Sequence, residues 1–200
     1  MKLASLAMMS LLVSGVVLAA QSEITPVSSS AEVVKLVRAC DDGKAASCFS
    51  LGKIYYNGQG VRQDDQKAAE LYEMACSGGV ASGCTELGWL YEFSEKKDYS
   101  KAVEFYQKAC KGGSLWGCFN LGEMYESGLG LNQDYFKAVE LYQKSCNGRD
   151  ADGCMKLGWM YEDGRGVRQS KAEAINYFGK ACDLKHQGGC TNYARLNTGK

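Results

Sequence analysis

The sequence predicts an all-α solenoid of five helical hairpins, and two observations support this fold class. Ten cysteines fall into five pairs, in each of which seven residues separate the two cysteines, and successive pairs begin 36, 34, 36 and 36 residues apart. Around the pairs, one pattern recurs: KAxxxYxxAC, a glycine-bearing turn, then GCxxLGxxY. A period of this length is typical of stacked supersecondary units, which bury their apolar sides against their neighbours.

Each unit is predicted to contain two helices. The apolar residues of segment 101–110 recur at i, i+3, i+4 and i+7, the spacing of one helix face: Ala102, Phe105, Tyr106 and Ala109. Gly112 and Gly113 then end this helix, because glycine adopts the left-handed cap conformation at little cost. A second apolar stripe follows in segment 115–125. The unit is therefore expected to be a helix, a turn and a second helix.

A glycine stands in the middle of the second helix in four units, always after a leucine: Gly52, Gly88, Gly122 and Gly158. Each would cost about 1 kcal/mol relative to alanine inside a helix. Because the glycines share one register, we expect a neighbouring helix to approach closely at this point.

The N-terminus is predicted to be a signal peptide over residues 1–20. Lys2 precedes an apolar run that ends in Ala19 and Ala20, the pattern of a cleaved secretory signal. The alternative, a membrane anchor, would need about 20 apolar residues, and serines interrupt this run. Residues 21–31 are predicted to be a flexible lead-in and 32–200 the repeat array. An exported chain with an even number of cysteines is expected to be oxidised, hence secreted or periplasmic.

Residues 32–200 resemble the SEL-like repeat family, relatives of tetratricopeptide repeats with a longer loop. The segment KAVEFYQKACKGGSLWGCFNLGEMYESGLGLNQD carries the resemblance, and the cysteine pairs are similar to those of the Hcp-type secreted bacterial proteins. The resemblance implies a right-handed α/α solenoid. Two departures stand out: segment 91–100, YEFSEKKDYS, lacks the GxG loop of the other units, and Tyr193-Ala194 replaces Leu-Gly in the last unit.

The cysteines are predicted to form five local disulfides, which staple the two helices of each hairpin. Residues seven or eight apart on one helix are separated by roughly 10–12 Å, whereas a disulfide needs Cα atoms about 4.4–6.8 Å apart. A turn between the two cysteines removes this difficulty. The expected pairs are Cys40–Cys48, Cys76–Cys84, Cys110–Cys118, Cys146–Cys154 and Cys182–Cys190. Zinc sites and thioredoxin-like redox sites use closer cysteine spacings, so neither a metal nor another cofactor is expected.

The resemblance to tetratricopeptide arrays implies that the GCxxLGxxY helices line a concave, peptide-binding face. Counting from the Leu-Gly pair, the candidate binding residues are Phe49, Lys53, Tyr56, Asn57, Thr85, Trp89, Glu92, Phe119, Glu123, Glu126, Met155, Trp159, Glu162 and Asp163. None of them is required for the apolar stripe. Five carboxylates against one lysine favour an extended, basic-leaning peptide or protein segment as partner. The alternative is a solvated helix face with tryptophans packed against the next unit.

Other partners and activities are less well supported. Lys and Arg balance Asp and Glu at 23 each, which offers no electrostatic footprint for nucleic acid. No membrane span is expected once the signal is removed. Hcp-type proteins have been described as penicillin-binding or weakly β-lactamase-like, so the resemblance also implies a possible β-lactam or cell-wall ligand.

A β-lactamase would need three motifs, and only the first is present. The motif S-x-x-K occurs at Ser50–Lys53 and at Ser94–Lys97, but the Ser-Asp-Asn and Lys-Thr-Gly motifs are absent. The position of Ser50 is filled in later units by Glu86, Asn120, Lys156 and Asn192. This variation predicts a surface position. No catalytic residue is therefore assigned, and whether the chain is an enzyme stays open.

Overall fold

The computed structural model describes residues 30–198, and within them the chain forms ten helices of 12 or 13 residues. Their bounds are α1 Ser30–Asp41, α2 Ala45–Asn57, α3 Asp65–Ser77, α4 Ala81–Phe93, α5 Tyr99–Lys111, α6 Leu115–Ser127, α7 Tyr135–Asn147, α8 Ala151–Asp163, α9 Lys171–Asp183 and α10 Gln187–Thr198. The predicted signal peptide and most of the predicted lead-in lie outside the described residues.

Each helix packs on the helices immediately before and after it in the chain, and α4 also contacts α6 directly. Two kinds of connection alternate along the chain. A short turn follows each odd-numbered helix, near whose end the first cysteine of a pair lies, and a longer loop follows each of the even-numbered helices from α2 to α8. The packing is more extensive across the longer loops, as between α2 and α3, than across the cysteine turns. This arrangement confirms the predicted all-α solenoid.

Local sequence determines where the odd-numbered helices begin. The side chain of Asp98 caps α5 by accepting a hydrogen bond from the backbone N–H of Lys101, three residues later. Asp64 and Asp134 cap α3 and α7 in the same way. An N-cap of this kind satisfies one of the four backbone donors that the first turn of a helix leaves unpaired.

The mid-helix glycines mark close contacts between helices, as predicted. A β-carbon placed on Gly88 would lie 2.7 Å from the ring of Tyr106 on the next helix, and one on Gly122 would lie 2.7 Å from the ring of Tyr142. Both tyrosines are completely buried. The absence of a side chain therefore lets a large aromatic ring approach the backbone of the neighbouring helix closely, which offsets the poor helix propensity of glycine.

The five predicted disulfides are all present within the described residues, and they leave no free cysteine there. The Cα atoms of the pairs lie 4.4 to 4.7 Å apart, inside the range that a disulfide requires. Each bond joins the end of an odd-numbered helix to the first turn of the next helix. The cysteines thus have a structural role: they hold each odd-numbered helix against the helix that follows it.

Candidate functional site

The even-numbered helices α2, α4 and α6 together line a groove of about 450 Å³, here called the α4–α6 groove. Its lining residues are Tyr56, Thr85, Glu86, Trp89, Glu92, Phe93, Trp116, Phe119, Asn120 and Glu123. All of them come from the helices that were predicted to form the binding face. Six of the candidate residues are brought together here: Tyr56, Thr85, Trp89, Glu92, Phe119 and Glu123.

Aromatic side chains form the walls of this groove. Trp89 contacts Tyr56 edge-to-face, with ring centroids 5.8 Å apart, and lies 5.0 Å from the ring of Phe93. Trp116 contacts Phe119 at 5.5 Å on the α6 side. Despite these contacts, Trp89, Phe93 and Trp116 remain 38%, 57% and 58% exposed. A groove therefore presents three large aromatic surfaces to solvent, and burying them would be favourable.

A second groove of about 390 Å³, the α3–α4 groove, lies on the other side of the Trp89–Phe93 pair. Its lining residues are Tyr56, Asp65, Gln66, Ala69, Leu87, Trp89, Leu90, Tyr91, Phe93 and Ser94. The two grooves thus share three aromatic side chains, Tyr56, Trp89 and Phe93.

The α3–α4 groove coincides with the shortened loop of segment 91–100. In the following repeats, Gly130 and Gly166 of the GxG loops lie directly against the backbone carbonyls of Tyr99 and Tyr135, at the starts of α5 and α7. The loop between α4 and α5 has no such glycine segment, so the start of α3 is not covered in this way. The departure from the repeat pattern thereby opens an apolar surface beside Trp89.

Two carboxylates in the α4–α6 groove lack a basic partner. Within residues 30–198, neither Glu86 nor Glu92 lies within 4.0 Å of a lysine, arginine or histidine nitrogen. Burial raises the pKa of Glu86, and the charge of Lys53 offsets this only in part. Burial also raises the pKa of Glu92, although the hydroxyl of Tyr106 donates a hydrogen bond of 2.7 Å to its carboxylate. The groove is therefore acidic where it is most aromatic.

The carboxylates further along the chain are neutralised internally. Glu126 accepts hydrogen bonds from the Tyr142 hydroxyl at 2.6 Å, from Lys156 at 3.2 Å and from Arg165 at 2.7 Å. Burial raises the pKa of Glu126, but the Tyr142 hydrogen bond and the two positive charges outweigh it, so the net pKa is below its ordinary value. Glu126 is thus held in a closed ionic cluster.

Three other candidate carboxylates are also paired. Glu123 contacts Lys156 at 3.0 Å, Asp163 contacts Arg165 at 3.0 Å and Glu162 contacts Arg195 at 2.7 Å. The count of five carboxylates against one lysine therefore overstates the free negative charge of the face, because it leaves out the basic residues that reach these carboxylates. Among the candidate carboxylates, all of which lie within residues 30–198, Glu92 on α4 is the one without a basic partner.

Some candidate residues belong to the core or lie outside both grooves. Phe119, which also lines the α4–α6 groove, and Met155 are buried, so the expectation that no candidate belongs to the core is wrong for these two. Phe49 is half-buried and packs on Tyr72, with centroids 5.9 Å apart. Lys53 and Asn57 are exposed on α2 and line neither groove. Trp159, at the same repeat position as Trp89, is 37% exposed but also lies outside both grooves.

Four groove residues were not predicted from the sequence: Glu86, Phe93, Trp116 and Asn120. Two of them, Glu86 and Asn120, occupy the repeat position of Ser50, at which the residue changes from unit to unit. That variation was itself a usable signal, since positions needed for packing keep one type of side chain, whereas a ligand-facing position is free to differ.

The serines of the S-x-x-K matches are engaged locally or lie on the surface. The Ser50 hydroxyl donates to the backbone carbonyl of Ala46 in its own helix at 3.1 Å, and the Lys53 amine lies 5.9 Å from the Phe49 ring. Ser94 is the exposed C-cap of α4. Among residues 30–198, no group of three or more His, Cys, Asp or Glu side chains is placed to hold a metal ion. No helix in this range is long and apolar enough to cross a membrane.

Comparison with known proteins identifies the repeat. The model of the Sel1 repeat matches residues 45–80, 81–114, 117–150 and 151–186. The chain is 29% identical, with a TM-score of 0.78, to c5321, a protective antigen present in uropathogenic Escherichia coli strains; the alignment covers 80% of this chain and 35% of that one. It is 34% identical to Helicobacter pylori cysteine-rich protein B, with a TM-score of 0.54, over 66% of this chain and 96% of that one.

Among curated proteins, residues of this chain are 39% identical over 59 residues to cytochrome c oxidase assembly factor 7A of Xenopus laevis. The match covers 29% of this chain and 26% of that protein, so the chain spans about a quarter of the length of this relative.

The matched repeats begin at α2, α4, α6 and α8, one helix later than the predicted hairpins. In this phase, one repeat is an even-numbered helix, the longer loop and an odd-numbered helix. The disulfides Cys76–Cys84, Cys110–Cys118 and Cys146–Cys154 therefore join each repeat to the next. The remaining two attach α1 and α10 to the ends of the array.

Proposed function

The chain belongs to the Sel1 repeat family and is a repeat scaffold, and from this premise we propose that it binds an extended peptide segment of a partner protein in the α4–α6 groove. The single observation that carries the proposal is the coincidence of exposed aromatic rings with unpaired carboxylates. Trp89, Phe93 and Trp116 are accessible in the same groove that contains Glu86 and Glu92. Tryptophan and tyrosine are common anchors of protein interfaces.

The form of the groove supports a peptide rather than a compact ligand. It is open along one side and is contributed by three successive even-numbered helices, so a bound chain would pass from Tyr56 on α2 across Trp89 to Trp116 on α6. Apolar side chains of the peptide would cover the aromatic rings, and basic side chains would face the carboxylates. Such a division gives affinity through apolar burial and register through charge.

We propose that binding takes place outside the cytoplasm, in the periplasm or beyond the cell. Five disulfides within 200 residues are consistent with an oxidising compartment. The predicted signal peptide, which lies outside the described residues, supports the same location.

The test is to select peptides on the purified, oxidised protein from a phage-displayed library of random peptides at low ionic strength. Peptides recovered on the wild-type protein are then measured against Trp89→Ala, with Trp159→Ala as the matched control. The two tryptophans share one repeat position and nearly equal exposure, but only Trp89 lines the groove. We expect Trp89→Ala to weaken binding by roughly 30-fold and Trp159→Ala to leave it within about twofold.

Two results would contradict the proposal. Recovery of peptides that bind Trp89→Ala as tightly as the wild type would place the binding surface elsewhere. Failure to recover any peptide that depends on Trp89, from a folded and fully oxidised protein, would remove peptide binding in this groove as the function. β-Lactam hydrolysis stays a prediction of the family resemblance, and no observation around Ser50 favours it.

A further inference from the structure

Three repeats place a glutamate at the same position, four residues after the glycine of the Leu-Gly pair: Glu92, Glu126 and Glu162. Two of the three are paired with a basic side chain contributed by a later part of the array. Glu126 is reached by Lys156 and Arg165, and Glu162 by Arg195. The scaffold thus has a recurrent position at which a carboxylate receives a cation from outside its own repeat.

The environments of Glu92 and Glu126 are otherwise alike. Glu92 accepts a hydrogen bond of 2.7 Å from the hydroxyl of Tyr106, and Glu126 accepts one of 2.6 Å from the hydroxyl of Tyr142. Both tyrosine rings are completely buried against a mid-helix glycine. In the Glu126 cluster, Lys156 also lies over the Tyr142 ring, 5.8 Å from its centroid. The two sites share this hydrogen bond and differ in the side chains that stand opposite and beside the carboxylate.

The cations of the Glu126 cluster have neutral counterparts around Glu92. Asn120 occupies the repeat position of Lys156, and Leu129 occupies that of Arg165. Among residues 30–198, no basic nitrogen lies within 4.0 Å of the Glu92 carboxylate. Lys97 lowers the pKa of Glu92 through its charge but forms no ion pair with it.

The side chain beside Glu92 also differs from its counterpart beside Glu126, and it suits a cation. Lys156 bridges Glu126 and Glu123, whereas the counterpart of Glu123 beside Glu92 is Trp89. An ammonium or guanidinium group in this place would lie beside the Glu92 carboxylate and the Trp89 indole, which line the same groove. Indole is the aromatic ring that attracts cations best.

We propose that Glu92, Tyr106 and Trp89 form a receptor site for one lysine or arginine side chain of the bound peptide. That side chain takes the place that Lys156 takes in the Glu126 cluster, so an ionic contact made within the array at one repeat is made with the partner at another. The inference rests on the proposed peptide binding and specifies the chemistry of its central residue. A half-buried carboxylate whose pKa is raised by burial would gain from such a partner.

The experiment uses a peptide recovered from the library on the wild-type protein and a set of variants in which each lysine or arginine is replaced singly by norleucine or citrulline. Affinities are measured by fluorescence anisotropy at low ionic strength. We expect one replacement to weaken binding about tenfold. Glu92→Gln should weaken the binding of the parent peptide by the same factor. It should leave the affinity of the peptide with the replaced side chain unchanged, because the substitution in the protein and the replacement in the peptide remove the same interaction. Glutamine can still accept the Tyr106 hydrogen bond.

A second variant supplies the cation from within the chain. Asn120→Lys places a lysine at the repeat position of Lys156, and this lysine should fill the site. The affinity for the parent peptide should then fall about tenfold or more. Ser50→Lys is the control, since it adds the same charge at the same repeat position of α2, outside both grooves. It should leave the affinity within about twofold.

The outcomes separate the inference from the proposed function. If Trp89→Ala abolishes binding but Glu92→Gln, Asn120→Lys and the neutral peptides change nothing, the cation site is wrong and the peptide groove stands. If no selected peptide depends on Trp89, the proposed function fails and the cation site with it. Loss of binding with Ser50→Lys equal to that with Asn120→Lys would also overturn the site, since the effect would then be one of net charge.

Discussion

Tyr106 donates a hydrogen bond of 2.7 Å to Glu92, and one repeat later Tyr142 donates the same bond to Glu126 at 2.6 Å. Despite this shared bond, the pKa of Glu92 is raised and that of Glu126 is lowered. The difference arises because Glu126 forms ion pairs with Lys156 and Arg165, whereas Glu92 has only the more distant charge of Lys97. Equivalent backbone positions thus carry a carboxylate that is ion-paired in one repeat and unpaired in the other, and this contrast can be measured.

Neutralising the two glutamates should have different effects on stability at neutral pH. Glu126→Gln removes the partner of Lys156 and Arg165 and should lower the free energy of unfolding by about 1–2 kcal/mol, a value reduced from that of a fully buried pair. Glu92→Gln keeps the tyrosine hydrogen bond and removes an unpaired carboxylate, so stability should be unchanged or slightly higher. Urea denaturation of the oxidised proteins measures both. Equal destabilisation by the two substitutions would show that the ionic cluster contributes nothing particular.

The pH dependence should also have opposite signs. The pKa of Glu126 is depressed in the folded state, so its contribution to stability is present above the ordinary value of 4.5 and is lost as the pH falls through the folded pKa. The pKa of Glu92 is raised by burial and by the charge of Glu123, against the Tyr106 hydrogen bond and Lys97. As the pH falls, Glu92 therefore takes up its proton at a higher pH in the folded state than in the unfolded state. The contribution of Glu92 to stability is present below pH 4.5 and is lost as the pH rises through the folded pKa.

Carbon-13 NMR of the side-chain carboxyl groups gives both pKa values directly, with the two Gln variants providing the assignments. Titration of Glu92 at or below that of Glu126 would contradict the electrostatic contrast. The affinity of a cationic peptide for the groove should decline as the pH falls through the pKa of Glu92, because the neutral carboxyl group no longer attracts it.

Gly122→Ala should destabilise the protein by about 1–3 kcal/mol, although alanine is the better helix former by about 1 kcal/mol. The added β-carbon would lie 2.7 Å from the buried ring of Tyr142, which has no room to move. Gly179→Ala is the matched control inside α9. Its β-carbon would lie 3.3 Å from the ring of Tyr193, which is partly exposed and can shift. Thermal unfolding of both variants measures the two effects. A loss of stability in Gly179→Ala as large as that in Gly122→Ala would contradict this explanation.

Removing a central disulfide should weaken the coupling between repeats. Cys110→Ala together with Cys118→Ala should lower stability by about 2–3 kcal/mol, the loop-closure value for so short a segment. The corresponding pair of substitutions at Cys182 and Cys190 should mainly increase fraying of α10, because this helix has a neighbour on one side only. Hydrogen exchange resolved by mass spectrometry distinguishes the two patterns. Uniform loss of protection in both variants would indicate that the array unfolds as one unit whichever bond is removed.

The amino-acid sequence by itself determined the architecture. The period of 34 to 36 residues, the cysteine spacing and the recurrent mid-helix glycines are local or periodic features, and each has one physical explanation in terms of helices, turns and close contacts. The ten helices, the five disulfides and the contact of Gly88 with Tyr106 followed from them. The same register brought Tyr56, Trp89 and Glu92 to one face.

Only the tertiary structure decided which carboxylates are free. Lys156, Arg165 and Arg195 reach glutamates that lie 30, 39 and 33 residues earlier in the chain. Such contacts depend on how one repeat is placed on the next, and the period does not specify the reach of an individual side chain. The α3–α4 groove likewise depends on how the GxG loops of the other repeats lie on the preceding odd-numbered helix. The repeat can therefore be predicted from the sequence, whereas the proposed binding surface depends on where one repeat departs from the others.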